Sequence, residues 1–379
     1  MKARGLYLHF PFCARKCSYC DFPSFPGKER YMAPYLGALL KEIGGYNKEK
    51  GEKYRISTIF MGGGTPTLFN GDHLAGALDK CRECFNVDED AEITIESNPG
   101  TVDHKKLLVL RKSGFNRLSI GLQAWQDRLL KFLGRIHTAR EFEDAVLMAQ
   151  KAGFENINAD VIFGIPGQSL EDWLETLKRT AALNVTHISA YSLIVEEGTP
   201  LYKLKQKGLP GEVAEDAERE MYHKGVDLLE RLGFYRYEIS NFARPGYECR
   251  HNLNYWKNGE YIGCGSGAHQ YLDGVRSYNT PDLEAYIEMM SKTGNASLGS
   301  EKIDRDQEVF ETLMLGFRLT EGIGKDDFHK RFGFDLSERY SDRISALKRE
   351  GLVLEDDTAI RPTARGFDFQ NQIALTFLD

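Results

Sequence analysis

Three cysteines fall within eight positions of the segment "HFPFCARKCSYCDF", residues 9–22, spaced Cys13-x3-Cys17-x2-Cys20. Thiolates are soft ligands, and three on one short loop suit either zinc or an iron–sulfur cluster. A structural zinc site ordinarily closes with four ligands, yet no Cys or His lies close behind Cys20, and Phe22 stands where a fourth cysteine might follow. A remote ligand such as Cys81, folded in, would restore a zinc site. A [4Fe–4S] cube on three thiolates instead keeps one iron open to another ligand.

Further polar and Gly-rich clusters lie downstream: "GGGTP" (62–66), "ESNPG" (96–100), "GLQ" ending at Gln123, "LGRIHT" around Arg135 and "FGIPG" (163–167). Glycines let the main chain approach a ligand closely and adopt φ > 0. A plain tight turn accounts for one or two glycines, less readily for three followed by Thr65-Pro66.

These clusters follow apolar, β-prone runs. The pattern predicts strands at Gly5–Phe10, Thr58–Met61, Ala91–Ser97, Arg117–Leu122, Ile157–Gly164 and His187–Val195. Helix-like stretches separate them, among them Tyr31–Tyr46, Leu107–Ser113, Glu141–Ala152 and Leu170–Leu183. Alternation of this kind implies βαβ units and a parallel sheet. Six units are too few for an eight-fold barrel, so the expected α/β fold is an open, TIM-like (β/α)6 barrel; a doubly wound sheet fits the pattern too. Barrel chemistry belongs at the carboxyl ends of strands, where the clusters fall.

The barrel is expected over residues 1–232, ending in a charged helix, Glu212–Leu232. A bridging segment, 233–298, holds "RHNLNYW" (250–256) and a hairpin at Asp273-Gly274. A smaller helical domain, 299–379, has a hairpin at "LVLEDDTAIRPT" and resembles a winged helix. Residues 301–379 carry a net charge of −5, the wrong sign for a DNA-binding module, so a docking or lid role is expected. The whole chain, at −7, is likewise not expected to bind nucleic acid. No apolar run approaches the ~18 residues of a membrane span, and the start, "MKARGLYLHF", has no signal-peptide pattern. Seven cysteines, an odd number, suit a reducing cytoplasm. Cys81 and Cys84 are expected to be core thiols in a helix, and Cys249 a small buried hydrophobe.

The cysteine loop after strand one, with "GGGTP" after strand two, resembles the radical S-adenosylmethionine (SAM) superfamily. That implies that Cys13, Cys17 and Cys20 hold a [4Fe–4S] cluster whose free iron is chelated by SAM. An electron reaching the cluster, from a donor if SAM is cleaved, would split that cofactor. Over nearly its whole length the chain is similar to the oxygen-independent coproporphyrinogen III oxidase-like family. The family's SAM contacts then fall on Tyr7, Tyr19, Gly63, Gly64, Thr65, Glu96, Gln123, Arg135 and Asp160. An arginine suits a carboxylate and an acid suits ribose hydroxyls, although Glu96, Arg135 and Asp160 would equally serve as a buried ion-pair network.

The oxidases of this family carry a cysteine two positions after the third cluster ligand and a longer amino-terminal stretch; here stand Phe22 and only twelve residues before Cys13. With "HNLNYW", this is similar to the family's heme-chaperone branch. There His251 would ligate heme iron, Tyr255 and Trp256 would face the porphyrin, and Arg250 would meet a propionate. A capped turn with a buried histidine and core aromatics is the plainer alternative. The expectation is a cytoplasmic chaperone with a cluster, SAM and heme, passing heme to an acceptor protein that could sit at a membrane. The rivals are a porphyrinogen-decarboxylating oxidase and a structural zinc protein.

Overall fold

The computed structural model describes residues 2–46 and 54–378. Six strands, β1 (Arg4–Phe10), β2 (Arg55–Gly63), β3 (Asn86–Ser97), β4 (Arg117–Gln123), β5 (Asn156–Phe163) and β6 (His187–Ser192), lie side by side in chain order. All are parallel. β4 is buried along its whole length, as a strand covered on both faces must be. The returning helices are Met32–Gly45, Gly71–Cys84, His104–Ser113, Ala139–Lys151 and Leu170–Ala182. Four begin at a residue whose side chain accepts an amide hydrogen of the first turn: Asn70, Asp103, Thr138 and Ser169. Such caps fix where each helix starts, and so how long each rim loop is. This is the six-unit open barrel that the alternation predicts. Cys81 and Cys84 are buried in the helix Gly71–Cys84, and Cys249 is buried too.

The sheet does not stop at six strands. Residues 233–298 add to both of its edges, because an open barrel leaves β1 and β6 with unpaired backbone. Beside β6 lie antiparallel β8 (Asn241–Ala243) and β7 (Tyr235–Arg236). Beside β1 lies parallel β9 (Tyr261–Cys264), followed by β10 (His269–Leu272), β11 (Val275–Asn279) and β12 (Ser297–Lys302). The β10–β11 turn has Asp273 and Gly274 at φ 52° and 74°, the left-handed pair that a two-residue hairpin needs. The expected division at 298/299 falls inside β12.

Between these edges the helix Arg250–Trp256 packs inside the barrel against β1, β2 and β3. Residues 309–377 form a separate apolar core. It is built on the helix Arg305–Gly316 and a small sheet of β13 (Ile323–Gly324), β15 (Ala359–Pro362) and β14 (Val353–Glu355). No helix among the described residues is long and apolar enough to cross a membrane.

Candidate cofactor site at the barrel rim

The cysteine loop is pinned at three points. His9, at the end of β1, holds the Pro23 carbonyl (3.0 Å) through Nε2. The Ser18 amide donates to the Leu133 carbonyl, and the Phe25 amide to the Pro11 carbonyl. Burial lowers the pKa of His9, so the ring is neutral. A carbonyl only accepts, so Nε2 carries the proton, and Nδ1 accepts from the Tyr7 hydroxyl at 2.9 Å. Tyr7, expected at the cofactor, thus also steadies the residue that anchors the loop.

The "GGGTP" turn is packed against this anchor. Gly63 has φ +105°, and a Cβ there would lie 2.2 Å from the His9 ring. A Cβ on Gly64 would lie 2.6 Å from the Phe12 carbonyl oxygen. The Gly64 and Thr65 amides donate to the carbonyls of Phe10 and Phe12, while the Gly63 amide donates to Glu96 at 3.0 Å. The glycines are therefore required first by close approach to the chain's own β1.

Thr65 reaches Cys13, with Oγ1 3.6 Å from Sγ, and accepts from Asn98 Nδ2 at 2.8 Å. Arg135 donates to Cys17 Sγ (3.5 Å), to the Gly121 carbonyl (3.1 Å) and to Asn98. Asn98 thus ties "GGGTP" to the arginine, and its place in "ESNPG", two residues after Glu96, is the local signal for it. Cys20 closes the loop by donating its amide to the Cys17 carbonyl. Burial pushes its thiol up to about 11, with Cys17 and Cys13 as further upward influences. A thiolate there would need compensating positive charge, such as a metal centre supplies.

Below the rim lie the acids. Glu96 is raised to about 7, chiefly by burial and next by Asp160. Asp160 is raised by burial and opposed by hydrogen bonds from Asn158 (2.9 Å) and Ser119 (3.0 Å), two partners no motif announces. Tyr19 is raised by burial and senses Arg135, Cys17, Cys20 and Asp160. Gln123 sits at φ 68°. Its Oε1 and the Nε of Arg135 are buried without a hydrogen-bond partner, one an acceptor and one a donor. Thr65 and Arg135 thus meet at the rim through Asn98, with Glu96 and Asp160 on the strands beneath, and the orphaned pair fits a ligand offering both an anion and a donor, as an amino acid head group does. Among the described residues no three His, Cys, Asp or Glu side chains meet the geometry of a single-ion site. Cluster thiolates each bind a different iron and need not converge on one point.

The "RHNLNYW" residues lie elsewhere, and differently from the heme-ligand expectation. His251 is 1% exposed. Its Nδ1 lies 2.8 Å from Thr58 Oγ1 and its Nε2 2.9 Å from the Tyr255 hydroxyl. Both ring nitrogens are engaged inside the barrel, so the ring as placed offers iron no lone pair. Burial, aided by Arg117, pushes it down to about 3. Glu92 caps this helix, accepting from the Arg250 and His251 amides at 3.0 and 3.1 Å. Arg250 turns away to the Asp90 carbonyl (2.7 Å) at the opposite end of β3 from Glu96. The plainer reading, a capped element with a buried histidine, describes this segment.

The fold and rim are those of a radical SAM protein. Residues 7–180 match the Radical SAM superfamily model, and residues 303–369 match the HemN C-terminal domain. The solved structure of coproporphyrinogen III oxidase (HemN) from Escherichia coli superposes with a TM-score of 0.85. It covers 99% of this chain and 90% of that one at 24% identity, which shows a shared fold. The heme chaperone HemW of Bacillus subtilis is 34% identical over 99% of both chains. HemW of Escherichia coli is 37% identical over 86% of this chain and 85% of its own. The chain belongs to the HemW family within the radical SAM superfamily. Superfamily membership brings a [4Fe–4S] cluster and SAM as its cofactors.

Proposed function

We propose that this protein is a heme chaperone, which binds heme and passes it to an acceptor protein. The observation that carries the reading is kinship over 99% of both chains with a relative named heme chaperone HemW. In this reading Cys13, Cys17 and Cys20 hold the cluster. Tyr7, Tyr19, Gly63, Gly64, Thr65, Glu96, Gln123, Arg135 and Asp160 hold SAM at the open iron. When bound, the pair supplies one-electron chemistry. The chain's own residues do the rest. Arg135 orients toward a carboxylate while fixing Cys17, and Glu96 and Asp160 accept from hydroxyls. His9 keeps the loop in register. The protein works in the cytoplasm, with an electron donor needed only if SAM is cleaved, and with acceptors free to be membrane-associated.

Phe22 supports the chaperone over the oxidase. It is 59% exposed beside the cluster loop, at the position where the family resemblance implies a cysteine in the oxidases. The test is one anaerobic, cluster-loaded sample examined for heme retention and for coproporphyrinogen turnover. One retained heme per chain without turnover is expected. Steady decarboxylation with SAM consumed in proportion overturns the proposal in favour of the oxidase, and zinc without iron or sulfide would favour the structural metal protein.

A further inference from the structure

A cavity of about 700 Å³ opens between the β6 side of the barrel and the carboxyl-terminal domain. Its volume lies in the range of built ligand sites. Tyr191, Tyr222, Trp256 and Phe369 are among the residues that give it flat aromatic walls. Four side chains that line it have buried polar atoms without a partner: Glu238 Oε2, Asn241 Oδ1, Trp256 Nε1 and Arg318 Nε. Native interiors seldom leave such atoms orphaned, and here they gather around one space. Arg318 lies over the Trp256 ring, 4.7 Å from its centroid, so a cation and a flat face are presented together. Among the described residues no His, Cys or Met side chain lines the cavity. His251 stands behind its wall, bonded to Tyr255 at 2.9 Å.

We propose that this cavity seats the heme macrocycle, with Arg318 meeting a propionate and the iron left without a nitrogen or sulfur ligand from the protein. The proposal rests on the heme-chaperone reading. Flat apolar walls match a porphyrin's faces, and a guanidinium matches its carboxylate edge. A carrier that grips the macrocycle and leaves the iron free yields heme readily to an acceptor that supplies its own axial ligand. His251 then acts as a positioning residue, holding Tyr255 in the wall.

The experiment titrates the cluster-loaded protein with hemin, iron-free protoporphyrin IX and protoporphyrin IX dimethyl ester. Stoichiometry is measured each time, because porphyrins adhere to exposed apolar surface. One hemin per chain is expected, with iron-free protoporphyrin within about tenfold in affinity. Arg318→Gln should weaken the free diacid about tenfold, the size of one charge-assisted hydrogen bond, and leave the diester unchanged. If that variant does not fold, Ser240→Trp, which fills part of the cavity from a loop, must block hemin instead. Saturable hemin binding with the iron-free porphyrin more than tenfold weaker overturns the proposal alone. So does an Arg318→Gln loss under threefold, or a loss equal for diacid and diester. Failure of the wild-type protein to bind hemin at all overturns the chaperone reading itself.

Discussion

Gly63→Ala tests how the rim is built. At φ +105° any side chain is strained, at a cost of about 1–2 kcal/mol. The new Cβ would lie 2.2 Å from the His9 ring, so the imidazole must leave its place. It then gives up the Tyr7 and Pro23 hydrogen bonds of 2.9 and 3.0 Å, each worth about 1 kcal/mol net. The expected loss is roughly 3–4 kcal/mol, large against a total stability of about 5–15 kcal/mol yet small enough for the protein to fold. Denaturant unfolding of the cluster-free protein measures it. Gly37→Ala is the control, because that helical glycine has open space around its Cβ position and should gain about 0.5–1 kcal/mol. Pro23 follows Cys20 by three residues, so reconstituted Gly63→Ala should also lose iron faster to a chelator than Gly37→Ala. Equal unfolding midpoints for the two variants would refute the claim that the triple glycine exists to clear His9.

Replacing any of Cys13, Cys17 or Cys20 by Ala should remove the broad visible absorption and the reduced-state EPR signal; a triple variant with full iron and sulfide content would sink the ligand assignment. Arg135→Lys keeps the charge but loses the fork that spans Cys17 and the Gly121 carbonyl. Its SAM dissociation constant should rise about tenfold, and an unchanged constant by equilibrium dialysis contradicts the role. Glu238, like Glu96, is raised by burial from 4.5 to about 7. A carboxyl raised on folding holds an extra proton in the native state, so its contribution is complete below about pH 4.5 and is lost as pH rises through 7. The loss is on the order of 3 kcal/mol. Glu238→Gln should therefore flatten the fall in unfolding free energy between pH 5 and 8, and curves that stay parallel to the parent's would show that Glu238 titrates normally.

Much of the rim is legible in the chain because its information is local. The thiolate spacing lies on one loop, and "GGGTP", "ESNPG", "GLQ" and "FGIPG" each fall at the end of their own strand, so alternation places them together at one end. The helix caps Asn70, Asp103, Thr138 and Ser169 are likewise local. The residues that no local pattern announces act mostly across the sheet or between loops. Asn98 joins two loops, Ser119 braces Asp160 from the neighbouring strand while Asn158 does so from two positions earlier on its own, and His9 matters through Gly63, fifty-four positions away. Apart from Asn158 and Asp160, which share one face of β5, none of these pairings has a spacing that periodicity can reveal.

The segment from 233 to 298 marks the boundary most clearly. Its hairpin at Asp273-Gly274 could be read from two residues that tolerate φ > 0. Its division between both edges of the sheet could not, because an open barrel's unpaired edges exist only once the barrel has formed. The same holds for "RHNLNYW". A histidine beside aromatics is chemically equipped to hold iron, and residue type alone leaves that open. In the folded chain Thr58 and Tyr255, brought in from a strand and from the next helical turn, engage both ring nitrogens. Local chemistry set what these side chains were able to do, and tertiary packing decided which lone pairs remained free to do it.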